Sequence, residues 1–286
     1  MTSVHEHKNR APQRCSDISS RPLDLASEYA YLEERYHVDF KSQLDTAFMQ
    51  RFEHAHVLWQ CCAYVHEWCT AHAFPEDHGV EHAKTVANHA IACLHEFSLS
   101  PRETLLVLLA CLLHDVDDHK FTHLRELVAA QRFLAMCALT GAERSLVLDM
   151  VRNVSCSANG NRVEAARPRW FYVPRDADRL EALGCVGIYR AIIYSAERGV
   201  RTHTPDTPVL AAPGEVMRHA TRERYEAYAR GATSASLIDH YYDKVLHIHE
   251  LSSGSRTLAE IASARHDEDI AFTYTYTRRV MALLAC

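Results

Sequence analysis

No apolar run in this 286-residue chain approaches the roughly 18 residues that a bilayer-spanning helix needs, so a helical membrane span is not expected. The segment Met1 to Arg21 is polar and holds no apolar stretch of the kind a secretory signal requires. Lysine and arginine form no cluster and the formal net charge is −6, so a nucleic-acid backbone is not an expected partner. The ten cysteines include no Cys-x-x-Cys pair, which removes the zinc-finger and redox-motif readings. Reduced thiols are expected, with Cys93, Cys111 and Cys137 acting as small hydrophobes in apolar helical stretches. There is no Walker-type loop, no Gly-x-Ser-x-Gly elbow and no dinucleotide fingerprint. The Gly184 and Gly187 pair is too sparse to cradle phosphate and is expected to permit close helix packing instead. Glu6, Asp17, Asp24 and Glu28 count against mitochondrial import. A cytoplasmic protein is expected, with a nuclear or mitochondrial one left open.

What is present reads as helix. Hydrophobic residues make up 48% of the chain, enough for a sizeable core. Sustained strand-like alternation is missing everywhere except the ambiguous Trp170 to Val173. Residues 1–25 are polar and expected to be disordered, and residues 26–73 read as helical. Phe74 to Gly79 reads as a loop, and a helix is expected from near Gly79 past Leu94. Ser100, Pro101 and Glu103 form a helix-start signature: a capping hydroxyl, a proline in the first turn and a carboxylate to close a capping box. The helix it opens, Thr104 to Leu113, is apolar nearly all round and must be buried. Further helices are expected at about 122–139, 142–153, 178–197, 233–248 and 255–284, with a long surface loop over Val200 to Gly214. The expected fold is an all-α helical bundle in one domain over residues 26–286, with its main motifs at 78–190 and its C-terminal helices at 233–284.

The chain carries 20 histidines, so only position relative to other ligands separates the useful ones. His114 and Asp115 emerge together from the end of the apolar helix, where an unpaired carboxylate is very costly and a bound cation resolves the cost. His82 lies 32 residues before His114, with His78 one helical turn earlier on the same face. Asp176 and Asp178 follow, the latter 63 residues after Asp115. A mixed set of imidazoles and carboxylates suits one divalent ion, manganese first, with magnesium, cobalt, nickel, iron or zinc as alternatives. Lys120 and Lys244 are candidates to hold phosphates as compact charges. Arg179 reaches a phosphate or lies on a solvated face, two readings left open.

These pieces, in this order, resemble the HD-domain metal-dependent phosphohydrolases. The likeness is nearest to the YedJ/YpgQ-type predicted HD hydrolases, through Cys111 to Phe121, Asp176 to Arg190, the Val154 to Ser157 turn, Ile238 to Leu246 and Arg265-His266. It runs from about residue 55 to the C-terminus and departs at Gly79, where the family often has Asp, and at Arg175, where it often has a neutral polar residue. The resemblance implies one metal held by His82, His114, Asp115 and Asp178. It makes Asp118 the general base and Lys120 its cationic neighbour. It also implies that Ser155, Ser157, His78, His240 and Lys244 line the substrate pocket and that Asp176 supports a ligand or touches substrate, while Glu181, one turn beyond Asp178, is placed to orient a ligand. Asp117 or Asp118 capping the next turn is the plainer alternative.

The implied substrate is a small phosphorylated molecule, a nucleotide, cut between the α and β phosphates of a triphosphate. A nucleoside 5'-monophosphate phosphatase is the nearest rival. A non-catalytic nucleotide- and metal-binding module is another, and a di-iron oxygenase a weaker one, since His119 and His123 are the only histidines between Asp115 and Asp178. Neither nucleic acid nor membrane is implied, and homodimerisation is left open.

Overall fold

The computed structural model of the protein describes residues 43–75, 78–122, 126–155 and 162–284. The expected tail at 1–25 and the candidate Ser157 lie outside them. Among the described residues the chain is all-α, without strand. The helices are α1 (Thr46–Met49), α2 (Ala55–Ala71), α3 (Val80–Cys93), α4 (Pro101–Leu113), α5 (His119–Thr122), α6 (Val128–Met136) and α7 (Gly141–Val154). They continue with α8 (Val173–Leu180), α9 (Gly184–Glu197), α10 (Val216–His219), α11 (Arg222–Ala229), α12 (Leu237–Asp243) and α13 (Arg256–Leu284). No helix is long and apolar enough to cross a membrane among the described residues.

The apolar helix α4 is the axis of the bundle. Every residue from Thr104 to Leu113 is buried, because α2, α3, α7 and α8 pack around it. Its start is set by sequence: Glu103 N–H donates to the Ser100 hydroxyl at 3.2 Å, and Ser100 N–H donates back to the Glu103 carboxylate at 2.9 Å. The same box opens α7 through Thr140 and Glu143. Helix α8 lies against α3, α4 and α7 at once, so α3, α4 and α8 can bring side chains to one point.

Past α4 the chain turns sharply, and buried Asp117 secures that turn. Its carboxylate accepts Ala129 N–H at 2.8 Å and Ala130 N–H at 2.9 Å, capping the start of α6. Burial raises the Asp117 pKa, with the amide hydrogen bonds opposing the shift. Trp68 donates to Val116 carbonyl at 2.8 Å and holds the turn to α2.

Several expected boundaries need correction. Residues 26–73 are not one helix in the described part, since α1 and α2 are separated by 50–54. The helix expected at 122–139 is α5 and α6. The one expected at 178–197 is broken after Leu180, because Gly184 adopts φ +65° and its N–H is capped by buried Asp269 at 3.1 Å. A Cβ on Gly187 would sit 2.3 Å from the Ala182 carbonyl, so this glycine permits close packing as expected. Trp170 to Tyr172 is 3-10 helix, not strand, within Arg169–Tyr172. The 200–214 segment is irregular as expected, yet it buries Thr207 and Leu210. The short helices α10 and α11 that follow it escape a periodicity reading.

Glu181, at the end of α8, ties three helices together. One carboxylate oxygen accepts from His89 Nε2 of α3 at 2.8 Å and from Arg265 of α13 at 3.1 Å. Burial works against its charge, but the His89 hydrogen bond and the neighbouring His89 and Arg265 charges outweigh it and hold the carboxyl down at about 2. A depressed carboxylate stabilises the fold above its ordinary value of 4.5, and that contribution is lost as pH falls toward about 2. Glu181→Gln is therefore expected to lower stability at neutral pH by about 3 kcal/mol, a gap that narrows across this acid range. Chemical denaturation at a series of pH values measures it, and a gap that stays constant on acidification would contradict the assignment.

Candidate metal centre

Four donors converge where α3, α4 and α8 meet. His82 lies in the first turn of α3, and His114 caps the C-terminus of α4. Asp115 follows it, and Asp178 comes from α8. His114 Nδ1 donates to the Cys111 carbonyl at 2.8 Å, which leaves its Nε2 with a lone pair. From His114 Nε2, Asp115 Oδ2 and Asp178 Oδ1 each lie at 3.4 Å. From His82 Nε2 the same oxygens lie at 3.7 and 3.3 Å. Both Nε2 atoms are buried and make no hydrogen bond.

Those separations fit a shared ion. Donors about 2.1 Å from one cation sit roughly 3.0–3.4 Å apart at adjacent octahedral or tetrahedral corners. Two buried imidazole nitrogens without partners, facing two carboxylates, form a donor set that a divalent cation completes. His82, His114 and Asp115 offer atoms within 4.8 Å of one another, and Asp178 adds a fourth donor close to both rings. The imidazoles are 4% and 0% exposed and the carboxylates 24% and 27%, so the carboxylate side is the one open to solvent.

Electrostatics follow from this packing. Burial pushes the His82 pKa down, and the nearby Arg190 charge adds to that, which favours the neutral, ligating form. Burial also disfavours charge on His114, but the Asp115 and Asp178 carboxylates outweigh it and hold its pKa well above the ordinary value. Asp115 and Asp178 are held below the usual carboxylate range because the imidazoles outweigh their burial. Without a cation, a proton on His114 takes part of its place.

The remaining sequence candidates are placed as follows. Asp118 sits in the turn leaving the ligand pair, its N–H donating to the Asp115 carbonyl at 2.9 Å. The carboxylate that caps the following helix is that of Asp117. Lys120 falls in α5. His78 precedes α3, its ring 6.1 Å from that of His82 and edge-on to Phe121. Asp176 is fully buried, and its Oδ2 accepts the N–H groups of Ser252 and Ser253 at 2.8 and 2.6 Å, fastening α8 to the turn before α13. Its other oxygen lies 3.8 Å from Arg175 Nε and 3.9 Å from Arg179 Nη1.

Arg179 is 2% exposed, so the solvated-face alternative is wrong, and its three guanidinium nitrogens make no hydrogen bond. Arg175 is also buried, lying 4.5 Å over the Tyr172 ring and donating to the Arg162 carbonyl at 2.8 Å. Ser155 is the exposed C-cap of α7. His240 Nδ1 lies 3.5 Å from the Ser234 hydroxyl, and Lys244 lies over the Tyr228 ring of α11 at 5.9 Å. They belong to α12 and its end, which pack chiefly with α9, α10, α11 and α13. The structure thus gathers His82, His114, Asp115 and Asp178, with His78 and Asp118 flanking, and sets His240 and Lys244 on another group of helices. Sequence reasoning assigned no role to Arg190, whose only signal was its place at the end of the Asp176 to Arg190 segment.

No family model matches the chain. It is 33% identical over 215 residues to the uncharacterised protein L803 of Acanthamoeba polyphaga mimivirus, covering 70% of this chain and 88% of that protein. Among solved structures it matches a Lactobacillus plantarum protein with a TM-score of 0.59, at 22% identity over 79% of this chain and 98% of that one. An HD-superfamily hydrolase of Bacillus thuringiensis matches with a TM-score of 0.54, at 20% identity over 79% and 97% of the two chains. Bacillus subtilis YpgQ in complex with ADP matches with a TM-score of 0.51, at 18% identity over 78% and 95%. The chain belongs to one family with the mimiviral protein, and its fold is that of the HD-superfamily hydrolase of Bacillus thuringiensis.

Metal binding must displace a proton held unusually tightly on His114. Manganese affinity is therefore expected to fall as pH is lowered, with proton release on binding, measured by calorimetry in buffers of different ionisation enthalpy. His114→Ala should remove binding while leaving helicity and cooperative unfolding intact. Binding that ignores pH, or survives the substitution, would contradict the site.

Proposed function

We propose that this protein is a metal-dependent phosphohydrolase acting on nucleotides, releasing pyrophosphate from (deoxy)nucleoside triphosphates. The carrying observation is the convergence of two unpartnered imidazole nitrogens and two partly open carboxylates at the end of a buried helix. A divalent cation held there would act as a Lewis acid toward a phosphoryl oxygen and lower the pKa of water. The fold supports hydrolysis as the reaction class, and the ADP bound to the structurally similar YpgQ supports a nucleotide as the ligand.

In this reading the chain's own groups divide the work. His82, His114, Asp115 and Asp178 hold the cation against the substrate. Asp118, three residues beyond Asp115 in the turn that carries the ligand pair, accepts the proton of the attacking water. Lys120, two residues further on, meets the charge of a distal phosphate, whereas Arg179 is buried beside the Asp176 carboxylate. Ser155, Ser157, Asp176, His240 and Lys244 are not needed for the chemical step so described.

Asp118→Ala should leave metal occupancy unchanged and lower turnover by about 100-fold or more. Occupancy by metal analysis and hydrolysis of triphosphates with separate assay of pyrophosphate and orthophosphate check it together. Parallel loss of metal and activity would make Asp118 a structural support. Orthophosphate release from monophosphates at equal or better rates would leave a nucleotidase, and no turnover with any metal would leave a binding module.

A further inference from the structure

His78 and Arg190 come from opposite ends of the motif region, 112 residues apart, and meet beside the ligand set. Arg190, on α9, is fixed from behind: one guanidinium nitrogen donates to the Glu181 carbonyl at 3.2 Å. The other, Nη2, lies 3.0 Å from His78 Nδ1. An arginine is protonated under all ordinary conditions and can only donate. At that distance His78 Nδ1 must therefore be the acceptor, and a neutral imidazole that accepts at Nδ1 carries its hydrogen on Nε2.

The consequence is electrostatic. A neutral imidazole can present either a lone pair or an N–H on the ring edge turned away from Arg190. Beside a site that gathers carboxylates and, in the function proposed above, phosphoryl oxygens, a lone pair would repel and an N–H would donate. His78 stands in that neighbourhood, its ring 6.1 Å from the His82 ring. Phe121 packs edge-on at 5.1 Å and restricts rotation of the ring.

We propose that Arg190 is a positioning residue that clamps His78 as the Nε2–H tautomer, making it a fixed hydrogen-bond donor to an anionic oxygen of the substrate beside the metal ligands. Arg190 does not touch substrate in this arrangement; it acts through His78. The proposal rests on the phosphohydrolase reading for its substrate and on the Arg190–His78 hydrogen bond for the tautomer.

Two readouts on the full-length protein separate these. The first is long-range proton–nitrogen NMR of nitrogen-15 histidine-labelled protein, with the His78 signals assigned by their loss in His78→Gln. Wild type should show a protonated Nε2 and a bare Nδ1. Arg190→Gln should yield a mixture of tautomers, and Arg190→Lys should largely restore the wild-type pattern. The second is hydrolysis of nucleoside triphosphates with manganese. Arg190→Gln should lower kcat/KM by about 10–100-fold with metal content unchanged. Arg190→Lys should recover part of the loss, and the Gln change should add little in a His78→Gln background.

A protonated Nδ1 in wild type would overturn the clamp, as would independent, multiplying effects of the two substitutions or loss of metal in step with activity. An inactive wild type that still shows the Nε2–H tautomer would sink the phosphohydrolase reading and leave the clamp standing.

Discussion

Two carboxylates and two imidazole nitrogens face one another at the end of a helix whose residues from Leu105 to Leu113 are buried and apolar. That confrontation is the constraint on which the rest of the structure depends. Asp115 and Asp178 bring two negative charges to a point reached only from one side, and an unpaired buried charge is strongly destabilising. A proton on His114 offsets part of this burden, and a divalent cation offsets it more fully. Stability and cation affinity are thus two expressions of the same local charge arrangement.

Holding the two imidazole nitrogens 3.3–3.7 Å from the two carboxylate oxygens requires that three helices be set in place, and each is pinned separately. The capping box of Ser100 and Glu103 fixes where α4 begins, and therefore where His114 ends it. Asp176 binds α8 to the 252–253 turn, and Glu181 binds the end of α8 to α3 and α13. Asp117 closes the chain beyond the ligand pair. These acids stand next to the ligands in sequence yet point elsewhere. An Asp-x-Asp or an Asp-x-Asp-Asp string is in this chain a division between anchoring and site residues.

Much of the fold, and the gathering of the four candidate donors at one point, was legible in the sequence for physical reasons. An all-apolar helix announces its burial, Ser-Pro-x-Glu announces a start, and a His-Asp pair at the end of such a helix announces an unmet charge. The resemblance to the HD-domain hydrolases followed from the order of the motifs, and the fold agrees with it. The breaks were less legible. The interruption between α8 and α9 depends on Gly184 at positive φ and on Asp269, 85 residues away, which no local pattern reveals. Arg179 reads as a surface residue by type but is buried, because α8 is covered on several sides at once. Likewise the pairing of Arg190 with His78 spans 112 residues and leaves no periodic trace.

The central claim is that these four side chains hold one cation. A crystal of the protein grown with manganese, measured on both sides of the manganese absorption edge, tests it most directly. The account predicts one strong anomalous peak with His82 Nε2, His114 Nε2 and oxygens of Asp115 and Asp178 about 2.0–2.4 Å away. An absent peak, or one ligated by Asp176 in place of Asp178, would contradict it.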